Sequence, residues 1–361
     1  MDETRPPQPE KTSTFKKIIG WVGGITAILG LLASLSGGVQ WIRNHWTQHS
    51  EIKTEIAVAE SQAQRDEYEA AVATYQDILK KDPQNHQAAD EQVTAAMRWI
   101  ENFSVTTGEN QSASAAASPK LNIILPILDA GLARAKGSRA ADILAHIGWT
   151  HWLNWHIAER EFSPAAEQNL RQAISMDPAN VYANAMLGNW LLQNGGSLSE
   201  ATDHFNTAIK TGKERPWIRN MQVSVLIYNE TPQAGTELIK TANDMRKNHE
   251  TLSDSDKHRI LAFNYELSSF HKARLMEVLS AVPPDESWAT YLWLDDQQAS
   301  DSTEAETQQR RRDYIHARIL ELSGKQQEAL ASYKLLQAKL KSSDFTLVEA
   351  VDDSIKRLAA K

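Results

Sequence analysis

Residues 181–216 read VYANAMLGNWLLQNGGSLSEATDHFNTAIKTGKERP. Apolar residues recur at spacings of three and four on both sides of Gly195-Gly196, which is the period of an α-helix and not of a strand. The first run carries Leu187-Gly188-x2-Leu191 and the second Ala201-x3-Phe205-x2-Ala208-Ile209. A small residue such as Ala201 lets two paired helices approach, and Phe205 one turn later fills the space between them. The stretch therefore predicts two helices packed as a pair.

The same grammar recurs upstream. Ala166-x3-Leu170-x2-Ala173-Ile174-x3-Pro178-x-Asn180 precedes it directly, and Tyr68-x2-Ala71-x3-Tyr75-x2-Ile78-Leu79-x3-Pro83-x-Asn85 lies near the start of the body. Gly324, Ala329 and Tyr333 suggest a fourth copy. Asp82-Pro83, Asp177-Pro178 and Arg215-Pro216 are expected to end the preceding helices, because the residue before proline is pushed out of the α region. Each pair leaves an apolar face uncovered, so the pairs must stack.

These residues resemble the tetratricopeptide repeat (TPR), whose unit of roughly 34 residues carries L-G-x2-Y on its first helix and A-x3-F-x2-A, then Pro, around its second. The recognisable copies span residues 52–85, 147–180, 181–214 and about 311–340. The second copy has an elongated first helix, and the third has an extra residue at Gly195-Gly196 with its proline late, at Pro216. The resemblance implies an all-α solenoid of helix pairs with a concave surface lined by exposed first-helix positions, which map in the third copy to Tyr182, Ala185, Asn189, Leu192 and Gln193. These five are the partner-binding candidates. The family's carboxylate-clamp variety places a Lys where this copy has Ala185, so a chaperone-tail clamp is not expected.

Outward from the repeats the body still reads as helix pairs: 217–228 with 232–246, and 253–270 with 272–279, closed by Pro283-Pro284. Phe345, Val348, Val351, Ile355 and Leu358 share one helical face, as a capping helix needs. Residues 104–120 and 295–309 are polar and rich in small residues, and read as loops. The expected organisation is a disordered tail over 1–14, a transmembrane anchor with flanks over 15–46, membrane-proximal TPR-like helices over 51–103, a loop over 104–120, a TPR-like array over 121–285, and a C-terminal pair with a capping helix over 286–361.

The anchor rests on 25 residues without a charge, 18–42, between Lys17 and Arg43. At about 1.5 Å per residue they reach roughly 37 Å, enough for a ~30 Å hydrocarbon layer. Trp21, Trp41 and Trp46 stand where indoles favour the interface. Gly20 and Gly24, Gly30 and Ser34, and Ser34 and Gly38 keep a four-residue spacing of small residues that would let two such helices associate, giving a homodimer through the membrane. Basic residues number four before the span (Arg5, Lys11, Lys16, Lys17) and two shortly after it (Arg43, Lys53), which favours a cytoplasmic N-terminus and a body outside the cytoplasm.

Composition narrows the function. Hydrophobic residues make up 41% of the 361, with 16 Gly and 12 Pro, so most of the chain can fold. There is no cysteine, which removes disulfides, thiol catalysis and Cys-containing zinc sites. Residues 51–361 hold 33 basic against 43 acidic side chains. An acidic body is a poor nucleic-acid binder, because phosphate neutralisation needs a clustered basic face. Arg310-Arg311-Arg312 reads as the start of a solvated helix.

No phosphate-binding loop, dinucleotide fingerprint or nucleophile elbow occurs, so no catalytic residue, cofactor or metal ligand is expected. His146, His151 and His156 are five apart, whereas helical imidazole pairs on one metal want three or four. Trp149, Trp152 and Trp155 fall at spacings of three within AHIGWTHWLNWH, residues 145–156. The stripe reads as the packing face of an elongated helix, and its alternative is a ligand pocket lined by indoles.

The whole chain is similar to bacterial single-pass, membrane-anchored TPR proteins. That resemblance implies an inner-membrane scaffold or assembly factor, not an enzyme, which holds a protein or peptide partner at the bilayer. The alternative is a small-ligand or glycan receptor using Trp149, Trp152 and Trp155.

Overall fold

The computed structural model describes residues 50–105, 107, 112–158, 163–229, 231–265, 272–296, 301–341 and 343–360. The anchor over 18–42, its small-residue face of Gly20, Gly24, Gly30, Ser34 and Gly38, and the tail over 1–14 lie outside the described residues. Among the described residues every regular element is an α-helix, and no helix is long and apolar enough to cross a membrane. The chain divides into two compact units, residues 1–103 and 104–361.

The first unit contains α1 (50–64), α2 (Tyr68–Lys81) and α3 (His86–Glu101). Its motif residues do what their spacing predicts: Ala71, Val72, Tyr75 and Ile78 form the buried face of α2, each no more than 1% exposed. α2 stops before Pro83, and Asn85 restarts the chain by accepting the Ala88 N–H at 3.0 Å. Gln92 on α3 donates to the Val72 carbonyl at 3.2 Å, tying α3 to α2.

The second unit begins with α4 (Ala113–Leu132), α5 (Gly137–His156) and α6 (Ala165–Met176). It continues through α7 (Val181–Gln193), α8 (Leu198–Lys210), α9 (Arg215–Tyr228) and α10 (Pro232–Lys247). α11 (Asp254–Asn264), α12 (Lys272–Leu279), α13 (Pro284–Leu294), α14 (Ser302–Leu322), α15 (Gln326–Gln337) and α16 (Phe345–Ala359) complete it. α5 packs on α6 and α7 on α8, and the first helices α5, α7 and α9 pack side by side.

Both tandem pairs cross at a glycine. A Cβ at Gly148 would lie 2.9 Å from the Ala166 carbonyl oxygen and 3.0 Å from Leu170 Cγ. One at Gly188 would lie 3.0 Å from the Ala201 carbonyl oxygen and 2.9 Å from Phe205 Cε2. The Gly of the first helix and the Ala-x3-Leu/Phe of the second are thus two halves of one close contact.

Four readings of the sequence are corrected. The segment read as a loop over 104–120 is helical from Ala113, where Ser112 caps α4, and that read over 295–309 is helical from Ser302, where Asp301 caps α14. Serine, alanine and glutamine runs look like loops, yet a capping side chain is enough to start a helix through them. Arg310 to Arg312 therefore stand in the middle of a helix. Arg310 is buried beside Asp344, and Arg312 donates to Asp295 at 2.7 Å. Pro216 opens α9 instead of ending α8, since a proline in the first turn lacks only an N–H that the helix would not use.

Candidate functional site

The five positions mapped onto α7 are not an exposed face. Ala185 is fully buried, and Asn189 and Leu192 are each 7% exposed; Tyr182 is half-buried and only Gln193 is exposed. The reason is the side-by-side packing of first helices. Tyr182 sits between the His146 ring of α5 at 4.6 Å and the Trp217 ring of α9 at 5.8 Å. The expectation of exposure is corrected for Ala185, Asn189 and Leu192.

The tryptophan stripe separates into two environments. Trp149 and Trp152 are buried and stack at 4.3 Å between ring centroids, 18° from parallel, and Trp152 stacks in turn on the exposed His156 at 4.6 Å. Trp155 is half-buried and tilts against His156. Trp152 Nε1 is buried without a hydrogen-bond partner, and burial holds the His151 imidazole below its ordinary pKa, against the carboxylate of Asp129. Among the described residues no cluster of His, Asp or Glu has the makings of a metal site.

Polar side chains on α7 and α8 are spent on fixing the stack. Asn180 caps α7 by accepting from the Ala183 N–H at 2.8 Å and donates to Asp142 of α5 at 2.7 Å. Asn184 donates to the carbonyls of Pro178 and Asn180, which leaves its Oδ1 to accept from His204 Nδ1 of α8 at 2.8 Å. The imidazole must therefore carry its proton on Nδ1. Burial lowers the His204 pKa despite the nearby Glu200 carboxylate.

Among the described residues an open surface lies on the second helices. A groove of about 690 Å³ runs across α8, α10 and α12. Thr202 and Asp203 contribute from α8, Thr236, Glu237 and Lys240 from α10, and Glu277 from α12. Lys240 is engaged by Glu237 at 3.4 Å, so Asp203 and Glu277 leave the groove with an acidic balance. The spacing that reveals a repeat reports the residues buried inside each pair, and the groove is made of the residues left over; only their charge in the sequence could have pointed to them.

No family profile matches the chain, and no curated protein matches it. Among solved structures, the crystal structure of the P58(IPK) TPR domain is similar at 12% identity, with 86% of this chain and 98% of that one covered and a TM-score of 0.19. A superposition at that score carries no argument about function.

Proposed function

We propose that the chain is a non-catalytic scaffold whose second unit binds a basic segment of a protein partner in the groove across α8, α10 and α12. The observation that carries this reading is the groove itself: three successive second helices leave an open, acidic channel of about 690 Å³. Stacked helix pairs offer more surface per residue than a globule and suit extended segments. Tyr182 and Gln193 of α7 keep accessible surface for a secondary contact.

Residues 18–42 then anchor this scaffold in a bilayer, with the body outside the cytoplasm, in the inner membrane of a bacterium. Tethering raises the local concentration of a partner without any new contact. The uncharged run and its indole flanks support the anchor, and the basic excess before it supports the orientation. Close helix approach along Gly20, Gly24, Gly30, Ser34 and Gly38 would make the anchor a dimer.

A peptide array of basic, acidic and neutral sequences, probed with the full chain in detergent, tests the binding. Basic peptides are expected to bind in a salt-sensitive way, and Asp203→Lys with Glu277→Lys should abolish that binding. Peptide binding indifferent to both substitutions would remove the groove from the reading. A compartment-sensitive reporter fused after Lys361 tests the anchor, and a cytoplasmic signal would reverse the orientation.

A further inference from the structure

The protein's buried arginines are not equally satisfied. Arg219, 3% exposed, donates to Glu250 at 3.1 Å, to Gln222 at 2.9 Å and to Asp244, so three oxygens surround one guanidinium. Arg318 on α14 is 9% exposed and has one oxygen acceptor among the described residues, Glu321, reached from Nη1 at 2.5 Å. Its Nη2 lies against the Met276 thioether, a weak acceptor. A guanidinium carries five N–H donors, and buried donors are as a rule paired.

Glu321 has little left to give Arg318. It also accepts from Arg357 Nε and Nη2, each at 2.9 Å, and from the Tyr333 hydroxyl at 3.3 Å. Burial alone would raise its pKa, yet the Arg357 hydrogen bonds and the charges of Arg318 and Arg357 hold the carboxyl below the usual range. One carboxylate is thus shared between two cations.

Both cations line a partly open cavity of about 150 Å³ between α12, α14 and α16. Leu275 lines one wall, and Tyr314, 5% exposed, lines another. Ser354 there accepts from Arg357 Nη2 at 3.1 Å and donates to its own helix at the Ala350 carbonyl, so its hydrogen is used. The lining carboxylate, Asp353, belongs to an exposed residue of α16 and stands at the solvent edge beside the half-exposed Arg357, whereas Arg318 is buried.

We propose that this cavity binds a small oxyanion, of the phosphate or carboxylate class, through the guanidiniums of Arg318 and Arg357 and the Tyr314 hydroxyl. A volume of about 150 Å³ is ample for one such group. Arginine suits the task because its planar fork meets two oxygens at once. The site is separate from the acidic groove on α8, α10 and α12, and its proposal stands whether or not that groove binds a partner.

The test is isothermal titration of the full chain with inorganic phosphate and, separately, acetate, against chloride at matched ionic strength. Saturable one-site binding is expected from at least one of the two oxyanions. Binding of phosphate alone assigns a phosphate ligand, and equal binding of acetate assigns a carboxylate. Arg318→Met should abolish the heat, and Tyr314→Phe should weaken binding about fivefold to tenfold while leaving helix content unchanged. Should Arg318→Met fail to fold, Tyr314→Phe decides alone. Absence of saturable binding for both anions, or equal affinity in the Tyr314→Phe protein, overturns the proposal and leaves water as the cavity's occupant.

Discussion

Gly188 on α7 and Phe205 on α8 are in such close approach that a Cβ on the glycine would stand 2.9 Å from Cε2 of the ring. Glycine inside a helix ordinarily costs about 0.5–1 kcal/mol relative to alanine, so an alanine should help unless space forbids it. Here the Ala201 carbonyl, 3.0 Å from the same point, blocks the retreat that a flexible side chain would allow. Gly188→Ala is expected to destabilise the second unit by about 1–3 kcal/mol, the range for overpacking, measured by chemical denaturation. A neutral or stabilising result would mean that α7 and α8 are less tightly crossed than described.

Arg219 should behave as a buried structural cation. Removing it strands Glu250, whose side chain is 15% exposed and which among the described residues keeps only Arg215, at 2.6 Å, as a cationic partner. Arg219→Ala is expected to cost about 3 kcal/mol, whereas Lys80→Ala, which breaks an exposed pair with Asp77, should cost less than about 0.5 kcal/mol. Similar losses in both would contradict the burial of Arg219.

How much of this was legible in the sequence depends on what a residue touches. Ala71, Ala166, Leu170, Ala201 and Phe205 contact the partner helix within their own pair, so a spacing rule places them in the core, and all are 3% exposed or less. Ala185, Asn189 and Leu192 are covered because first helices of successive pairs lie side by side, a relation between copies that no single copy's spacing contains. The start of α14, ahead of the fourth copy, was hidden for another reason. Its first half is Ser, Thr, Glu and Gln, without an apolar period, and it is held by the Asp301 cap and by the pairing of Arg310 and Arg312.

Trp152→Ala separates packing from ligand binding in the tryptophan stripe. Trp152 is 7% exposed and stacked on both sides, by Trp149 and His156. Truncation of such a side chain is expected to lower stability by about 3–5 kcal/mol in a denaturant titration. Unchanged stability would return the stripe to the reading of a ligand pocket.

Acid should weaken the second unit before ordinary carboxylates titrate. His151 and His204 have folded pKa values lowered by burial from 6.5, so the unfolded chain binds more protons than the folded one as pH falls through that region. Their contribution is fully present above the unfolded pKa and is lost progressively toward and through the lowered folded values. Denaturation midpoints are expected to fall between pH 7.5 and pH 5.5, with a smaller fall in His204→Asn. An identical pH slope in that variant would assign the effect elsewhere.

In the second unit the principal packing partners are near neighbours along the chain: α5 with α6, α7 with α8, α14 with α15, and nothing more distant than α10 with α13. Contacts this local close short loops, which favours fast folding and lets structure nucleate at any pair and spread to the next. With packing this local, α15 and α16 can melt while α5 to α8 stay folded. Unfolding should therefore broaden into steps as conditions worsen, and hydrogen exchange should be slowest in the middle of the stack.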